Sequence, residues 1–185
     1  MRSRILCTLL TIAMAATAAA QFETRSTAHA QSHSASVAVG DFNGDGNLDF
    51  ADANSSLQVF LGNGDGTFRP HGNYLDNTGV IFVVAADFNN DHKLDLAVAD
   101  LNGLFVLIGN GDGTFQAPVA YATACIPLSV GTGDFNGDHN LDLLVTYSGC
   151  QLHQRISRQR GWHIPTDSGQ YHTLHPTCPA SNWRL

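Results

Sequence analysis

The chain has 185 residues, 43% of them hydrophobic and 14% charged, with 18 glycines. That size fits one ordinary globular domain, and the composition excludes coiled coils, collagen and most disordered chains. The formal net charge of −7 argues against a nucleic-acid binder that works by neutralising phosphates.

In chain order, Arg2 and Arg4 precede an apolar run from Ile5 to about Ala16, followed by Ala18-Ala19-Ala20. A basic start, a short apolar core and a small-residue cleavage pattern predict a secretory signal peptide over residues 1–20. The run is shorter than the roughly 20 residues a spanning helix needs. The expected location is therefore secreted or periplasmic, with no membrane attachment after cleavage. Ala28-His29-Ala30 offers a second cleavage point at 30, and residues 21–34, rich in Ser, Thr, Ala and Gln, read as a flexible lead-in.

From Gln31 to Cys150 there are 14 Asp and no Glu against one Arg and one Lys, a local net of −12. A surplus of short carboxylates points to a cation partner. The carboxylates also recur with a period. Asp41-Phe42-Asn43-Gly44-Asp45-Gly46-Asn47-Leu48-Asp49 returns at Asp87 to Asp95 and at Asp134 to Asp142, spaced by 46 and 47. A second block, Leu61-Gly62-Asn63-Gly64-Asp65-Gly66-Thr67-Phe68, returns 47 residues later at Ile108 to Phe115.

Between the blocks lie short β-branched and aromatic runs. Ser36 to Phe42, Leu48 to Ala53, Leu57 to Leu61 and Thr67 onward predict four strands. The second unit repeats them at Ile81 to Phe88, Leu94 to Ala99, Leu104 to Ile108 and Thr114 to Tyr121. Asn-Gly and Asp-Gly pairs at 63–66 and 110–113 supply the positive φ angles of tight turns. No stretch keeps a helical period. Four antiparallel strands in about 46 residues fit a propeller blade, which must stack on neighbours to bury its two apolar faces. The expected fold is all-β, an incomplete β-propeller of about two and a half four-stranded blades at 35–76, 77–122 and 123–150, preceded by the signal peptide and followed by an irregular tail.

Each acidic loop places oxygen-bearing side chains at its positions 1, 3, 5 and 9. Converging carboxylates repel by about 1 kcal/mol per pair at 4 Å even in water, and a hard divalent cation removes that repulsion. Six to eight oxygens at roughly 2.3–2.6 Å suit Ca2+ better than Mg2+. The expected metal sets are Asp41, Asn43, Asp45 and Asp49; Asp87, Asn89, Asp91 and Asp95; Asp134, Asn136, Asp138 and Asp142. Main-chain carbonyls at position 7, from Asn47, Lys93 and Asn140, complete them. Asp and Asn also make good turns, but three copies with the same four positions favour the cation. Position 6 is Gly46, His92 and His139, so the histidines stand in for a left-handed backbone residue. An EF-hand is excluded: position 12 is Asp52, Val98 and Val145, and the flanks alternate like strands. Asp65 and Asp112, surrounded by glycine, read as turn residues.

These residues resemble the FG-GAP, or VCBS-type, repeats of bacterial secreted proteins, similar to the calcium-binding blades of the integrin α propeller. The carriers are Val39 to Asp49 and the glycine-rich block at 61–68, and the likeness runs from about Ser36 to Cys150. It implies a ring of about seven blades, calcium in strand-to-strand loops, and binding or adhesion, although such repeats also accompany enzymes. This chain carries two complete units and part of a third.

After Cys150 the character changes: residues 151–185 hold four Arg, four His, three Pro and the single acid Asp167, with no strand alternation. One choice among the synonymous codons for Gln151 to Pro165, read one base later, spells Asn-Cys-Ile-Ser-Val-Ser-Leu-Gly-Asn-Gly-Asp-Gly-Thr-Phe, the block that was due there. The tail thus reads as frameshifted and disordered. A zinc cluster from His153, His163, His172, His175 and Cys178 has no recognisable ligand spacing. Cys7 leaves with the signal; Cys125 and Cys150 either pair across the third unit or stay as small buried residues.

The expected function is a secreted calcium-binding module for adhesion or for an unidentified protein or carbohydrate ligand, with self-association open to it through unpaired blade edges. The alternatives are a propeller scaffold of a secreted enzyme and a truncated reading frame without function. The first lacks a nucleophile elbow, an HExxH motif and any isolated acid pair outside the loops.

Overall fold

The computed structural model describes residues 34–123, 125–149, 152–157 and 170–173. The signal peptide expected at 1–20, the lead-in before Ser34, and Cys150 lie outside them. The described residues form three antiparallel sheets of four strands, each in simple chain order. The first contains β1 (Ser36–Gly40), β2 (Asp49–Ala53), β3 (Leu57–Gly62) and β4 (Phe68–Tyr74). The second contains β5 (Val80–Ala86), β6 (Asp95–Asp100), β7 (Gly103–Leu107) and β8 (Val119–Tyr121). The third contains β9 (Pro127–Gly133), β10 (Asp142–Tyr147), β11 (Leu152–Ile156) and β12 (Gln170–Thr173).

Side-chain alternation decides how the sheets stack. One face of the first sheet, with Ala38, Ala51, Ala53, Val59 and Leu61, packs on the face of the second that carries Val80, Val83, Leu96, Val98 and Leu107. The reverse face of the second, with Ala97, Ala99, Leu104, Val106 and Ile108, packs on Val130, Leu143, Val145, Tyr147 and Ile156 of the third. The middle sheet is thus covered twice, and all six residues of β6 are buried. Burial on both faces explains why β6 reads as a nearly continuous small and apolar run. Each fully buried leucine or valine contributes about 1.5–3 kcal/mol. The first strands β1, β5 and β9 touch in succession, as the innermost strands of neighbouring blades do. The architecture is an incomplete β-propeller.

Two expectations need correction. Phe42 and Phe88 lie beyond the ends of β1 and β5, because their N–H groups turn away to bond Asp49 and Asp95. The third unit is also more than half a blade. Leu152–Ile156 pairs with β10, and Gln170–Thr173 pairs with β11, where irregular tail was expected. The physical reason is that a sheet edge offers unpaired N–H and C=O groups that accept an extended segment of almost any sequence. Gln154 and Ile156 are buried, and the Tyr147 hydroxyl bonds the Gln154 side chain.

Cys125 is disulfide-bonded, and its partner lies outside the described residues, as does the expected pairing with Cys150.

Candidate metal centres

The three acidic loops join the first and second strands of their sheets, β1 to β2, β5 to β6 and β9 to β10. They therefore project from the same end of each blade, and the second and third touch through Asn90 Nδ2, which donates to Asn140 Oδ1 at 3.1 Å. All three curl in the same way. Position 1 ties the loop together: Asp41 accepts the Gly44 and Gly46 N–H groups at 2.7 and 2.9 Å. Asp87 accepts from Asp91 and His92, and Asp134 from Gly137 and His139. At position 3, Asn43 Oδ1 accepts the Asp45 N–H at 2.9 Å, and Asn89 and Asn136 repeat the bond. At position 5, Asp45 accepts the Asn47 N–H at 2.8 Å; Asp91 and Asp138 do the same with Lys93 and Asn140.

This winding needs left-handed backbone at two positions in each loop. At position 6, Gly46, His92 and His139 have φ of 85°, 67° and 66°, so the histidines do take the backbone role read from the sequence. Position 4 needs it too, at Gly44, Asn90 and Gly137 with φ of 73°, 61° and 77°. Sequence reading missed that second requirement, although Gly, Asn and Gly are the residues that meet it most readily.

Position 9 behaves differently from the rest. Asp49, Asp95 and Asp142 are fully buried, whereas position 5 is exposed in all three loops and position 3 is half-buried in the first two and exposed in the third. Asp49 Oδ2 accepts the Phe42 N–H at 2.8 Å and Oδ1 the Gly62 N–H at 2.8 Å. Asp95 accepts from Phe88 and Gly109, both at 2.9 Å. This carboxylate therefore stitches the acidic loop to the start of the glycine-rich turn. Sequence reading gave it only a metal role; the constant company of the two blocks was the signal of a structural one.

The electrostatics differ accordingly. Burial pushes the Asp95 carboxyl up to about 6, with the negative charges of Asp91 and Asp87 adding to the effect. In contrast, the Asn47 N–H and the Asn43 side chain hold Asp45 below the usual range. The N–H groups of His139 and Asn140 do so for Asp134 and Asp138.

As a donor set the loops offer only hard oxygens, from carboxylates, amides and main-chain carbonyls, which is the chemistry calcium takes. Each side-chain oxygen that accepts one N–H keeps a second lone pair. Among the described residues no three Asp, Glu, His or Cys side chains close into a metal-type cluster. The three acids of a loop would have to draw together to share one ion, with Asn43, Asn89 and Asn136 and main-chain carbonyls adding oxygens.

Asp65 and Asp112 serve their turns. Each accepts the N–H and hydroxyl of Thr67 or Thr114, at 2.9 and 2.6 Å in the first unit and 2.9 and 2.5 Å in the second. The second turn also reaches across the blade junction. Gly113 donates its N–H to the Phe42 carbonyl at 2.9 Å, and Phe115 packs edge-on against Phe42 with ring centroids 5.6 Å apart. Tyr74 completes the cluster, its hydroxyl accepting the Phe115 N–H at 3.0 Å.

An acidic loop from one blade interlocked with a glycine-rich turn from the next defines a repeat-built propeller. The chain belongs to the FG-GAP-like repeat family, whose profile matches residues 41–98 and again 87–145. No curated protein matches the chain significantly. Among the described residues no helix is long and apolar enough to cross a membrane.

Proposed function

We propose that the chain is a secreted or periplasmic binding or adhesion module whose blades are steadied by structural calcium, and that it is not an enzyme. The observation that supports calcium is the threefold recurrence of one loop winding, with three aspartates and an asparagine at the same positions each time. Asp41, Asn43, Asp45, Asp49 and the Asn47 carbonyl would hold one ion. Asp87, Asn89, Asp91, Asp95 and the Lys93 carbonyl would hold the second, and Asp134, Asn136, Asp138, Asp142 and the Asn140 carbonyl the third. The ion supplies charge neutralisation to loops whose carboxylates otherwise repel one another.

Export is supported by the basic, apolar and small-residue order of residues 1–20. A binding role is supported by the family, and its partner class is a protein or carbohydrate surface. Calorimetric titration of the exported chain with calcium tests this reading. It expects three ions per chain, with dissociation constants of about 10⁻⁴–10⁻³ M, the range of extracellular modules. Loss of one ion is expected for each of Asp45→Ala, Asp91→Ala and Asp138→Ala. A chain that takes up no calcium at 10-fold higher concentrations, about 10⁻² M, would overturn it.

A further inference from the structure

Each sheet has two kinds of face, and both internal junctions join one kind to the other. The leading face of the second sheet, with Val83, Leu96, Val98 and Leu107, lies on the trailing face of the first, with Ala38, Ala51, Ala53 and Val59. The third sheet turns its leading face, with Val130, Leu143 and Val145, to the second in the same way. Strand register fixes the equivalences: Val37, Val83 and Val130 each pair with position 12 of their unit, which is Asp52, Val98 and Val145. Among the described residues no sheet covers the leading face of the first sheet or the trailing face of the third.

Both faces carry the marks of an unmade junction. Val83 and Val130 are buried under the preceding sheet, whereas Val37 is 53% exposed. Phe42 and Phe88 are buried under the following one, whereas Phe135 is 47% exposed. The glycine-rich turns divide in the same way. Gly113 donates to the Phe42 carbonyl, and Phe115 packs on the Phe42 ring. The equivalent Gly66 N–H meets no acceptor among the described residues, and the equivalent Phe68 is 38% exposed beside Phe50. A Cβ on Gly113 would meet His71 and Leu61 of the first sheet at 3.1 Å, whereas one on Gly66 would meet nothing within 4 Å. The chain thus holds a spare plug, Gly66 and Phe68, and a spare socket, Phe135.

Charge matches across the same two faces. Asp52 stands on the leading face where the other units have Val98 and Val145, and Arg155 stands on the trailing face where the others have Val59 and Val106. Val59 shares a core layer with Val98, and Val106 with Val145. A junction of the two spare faces therefore brings a guanidinium into the layer of a carboxylate. Asp52 is buried with Ser34 and Asn54 on its Oδ2, and its Oδ1 has no partner among the described residues, so it can accept from that cation.

We propose that two copies of the chain join head to tail, the first sheet of each seated on the third sheet of the other. Gly66 donates to the Phe135 carbonyl, Phe68 covers the Phe135 ring, and Val37 is buried. A contact between unlike faces either closes into a ring or runs on as a filament. Two copies with three sheets each bring six, inside the range of about 4–8 blades that closed propellers have, so the ring closes as a dimer. The joint uses no residue assigned to calcium and stands apart from that reading.

Sedimentation velocity of the full chain over a concentration series, with calcium held constant, tests the assembly. The expected mass is twice 19.8 kDa. Phe135→Asp spoils the socket and Val37→Asp spoils the leading face, and each is expected to return the mass to 19.8 kDa. Both side chains are exposed in the single chain, so an unchanged circular dichroism spectrum is expected from both variants. Mixing the two in equal amounts is expected to restore a dimer, since one joint of the two is then whole. A monomeric unaltered chain, a dimer that survives either substitution, a mixture that stays monomeric, or a mass that climbs without limit with concentration overturns the proposal.

Discussion

The junction between the first and second blades and the junction between the second and third share a core but not a lock. Both bury a continuous aliphatic layer between facing sheets. The first adds a set of directional contacts: Gly113 on the Phe42 carbonyl, Phe115 against Phe42 and Tyr74, and a doubly satisfied carboxylate on each side. At the second junction Phe88 is buried too, yet among the described residues Asp142 Oδ1 has no donor. The contrast separates two kinds of specificity. Strand pairing uses backbone groups, so β11 forms from a sequence that carries none of the repeat. The carboxylate lock needs one particular residue type, glycine, at one register position, as Gly62 and Gly109 show.

That difference gives substitutions with ordered effects. The largest is expected at the ring that closes the first junction: Phe115→Ala removes a buried aromatic from a three-ring cluster and should destabilise by about 3–5 kcal/mol in urea unfolding. Gly62→Ala or Gly109→Ala comes next, at about 3 kcal/mol, because the new methyl meets a carbonyl oxygen and the N–H is driven off the buried carboxylate. A loss below about 0.5 kcal/mol, the ordinary surface range, would break the claim that glycine is required there. Asp49→Ala and Asp95→Ala strand two N–H donors each and should lose about 2–4 kcal/mol, whereas Asp142→Ala strands one and should lose about half as much. Asp65→Ala, which removes only a turn contact facing solvent, is expected to cost about 1 kcal/mol or less. Comparable losses at Asp49 and Asp142 would erase the distinction between the junctions.

The repeat made most of this readable before any coordinates. A period of 46 and 47 announced the blades, alternation placed most strands, and the asparagine-glycine and aspartate-glycine pairs marked the turns that Gly64, Gly66, Gly111 and Gly113 make at φ of 78° to 87°. The spacing of Asp41, Asn43 and Asp45 announced a curling loop, though not its left-handed turn at Gly44, Asn90 and Gly137. Three things were out of reach. The role of Asp49 depends on Gly62, 13 residues away and on another strand, a distance that periodicity within a loop does not span. The contact of Phe115 with Phe42 crosses a blade junction. Strand β11 arises from an unpaired edge rather than from its own pattern, so no alternation announces Leu152–Ile156.

The central proposal is that the three loops are cation cages which hold the blades, and thermal melting of the full chain with calcium against chelator tests it most directly. At a calcium concentration of about 100 times the dissociation constant, each filled site adds about 2.7 kcal/mol. The melting temperature should therefore climb steeply with calcium, fall back with chelator, and gain less when Asp45 is replaced by alanine. A melting curve that is identical with calcium and with chelator would contradict the account.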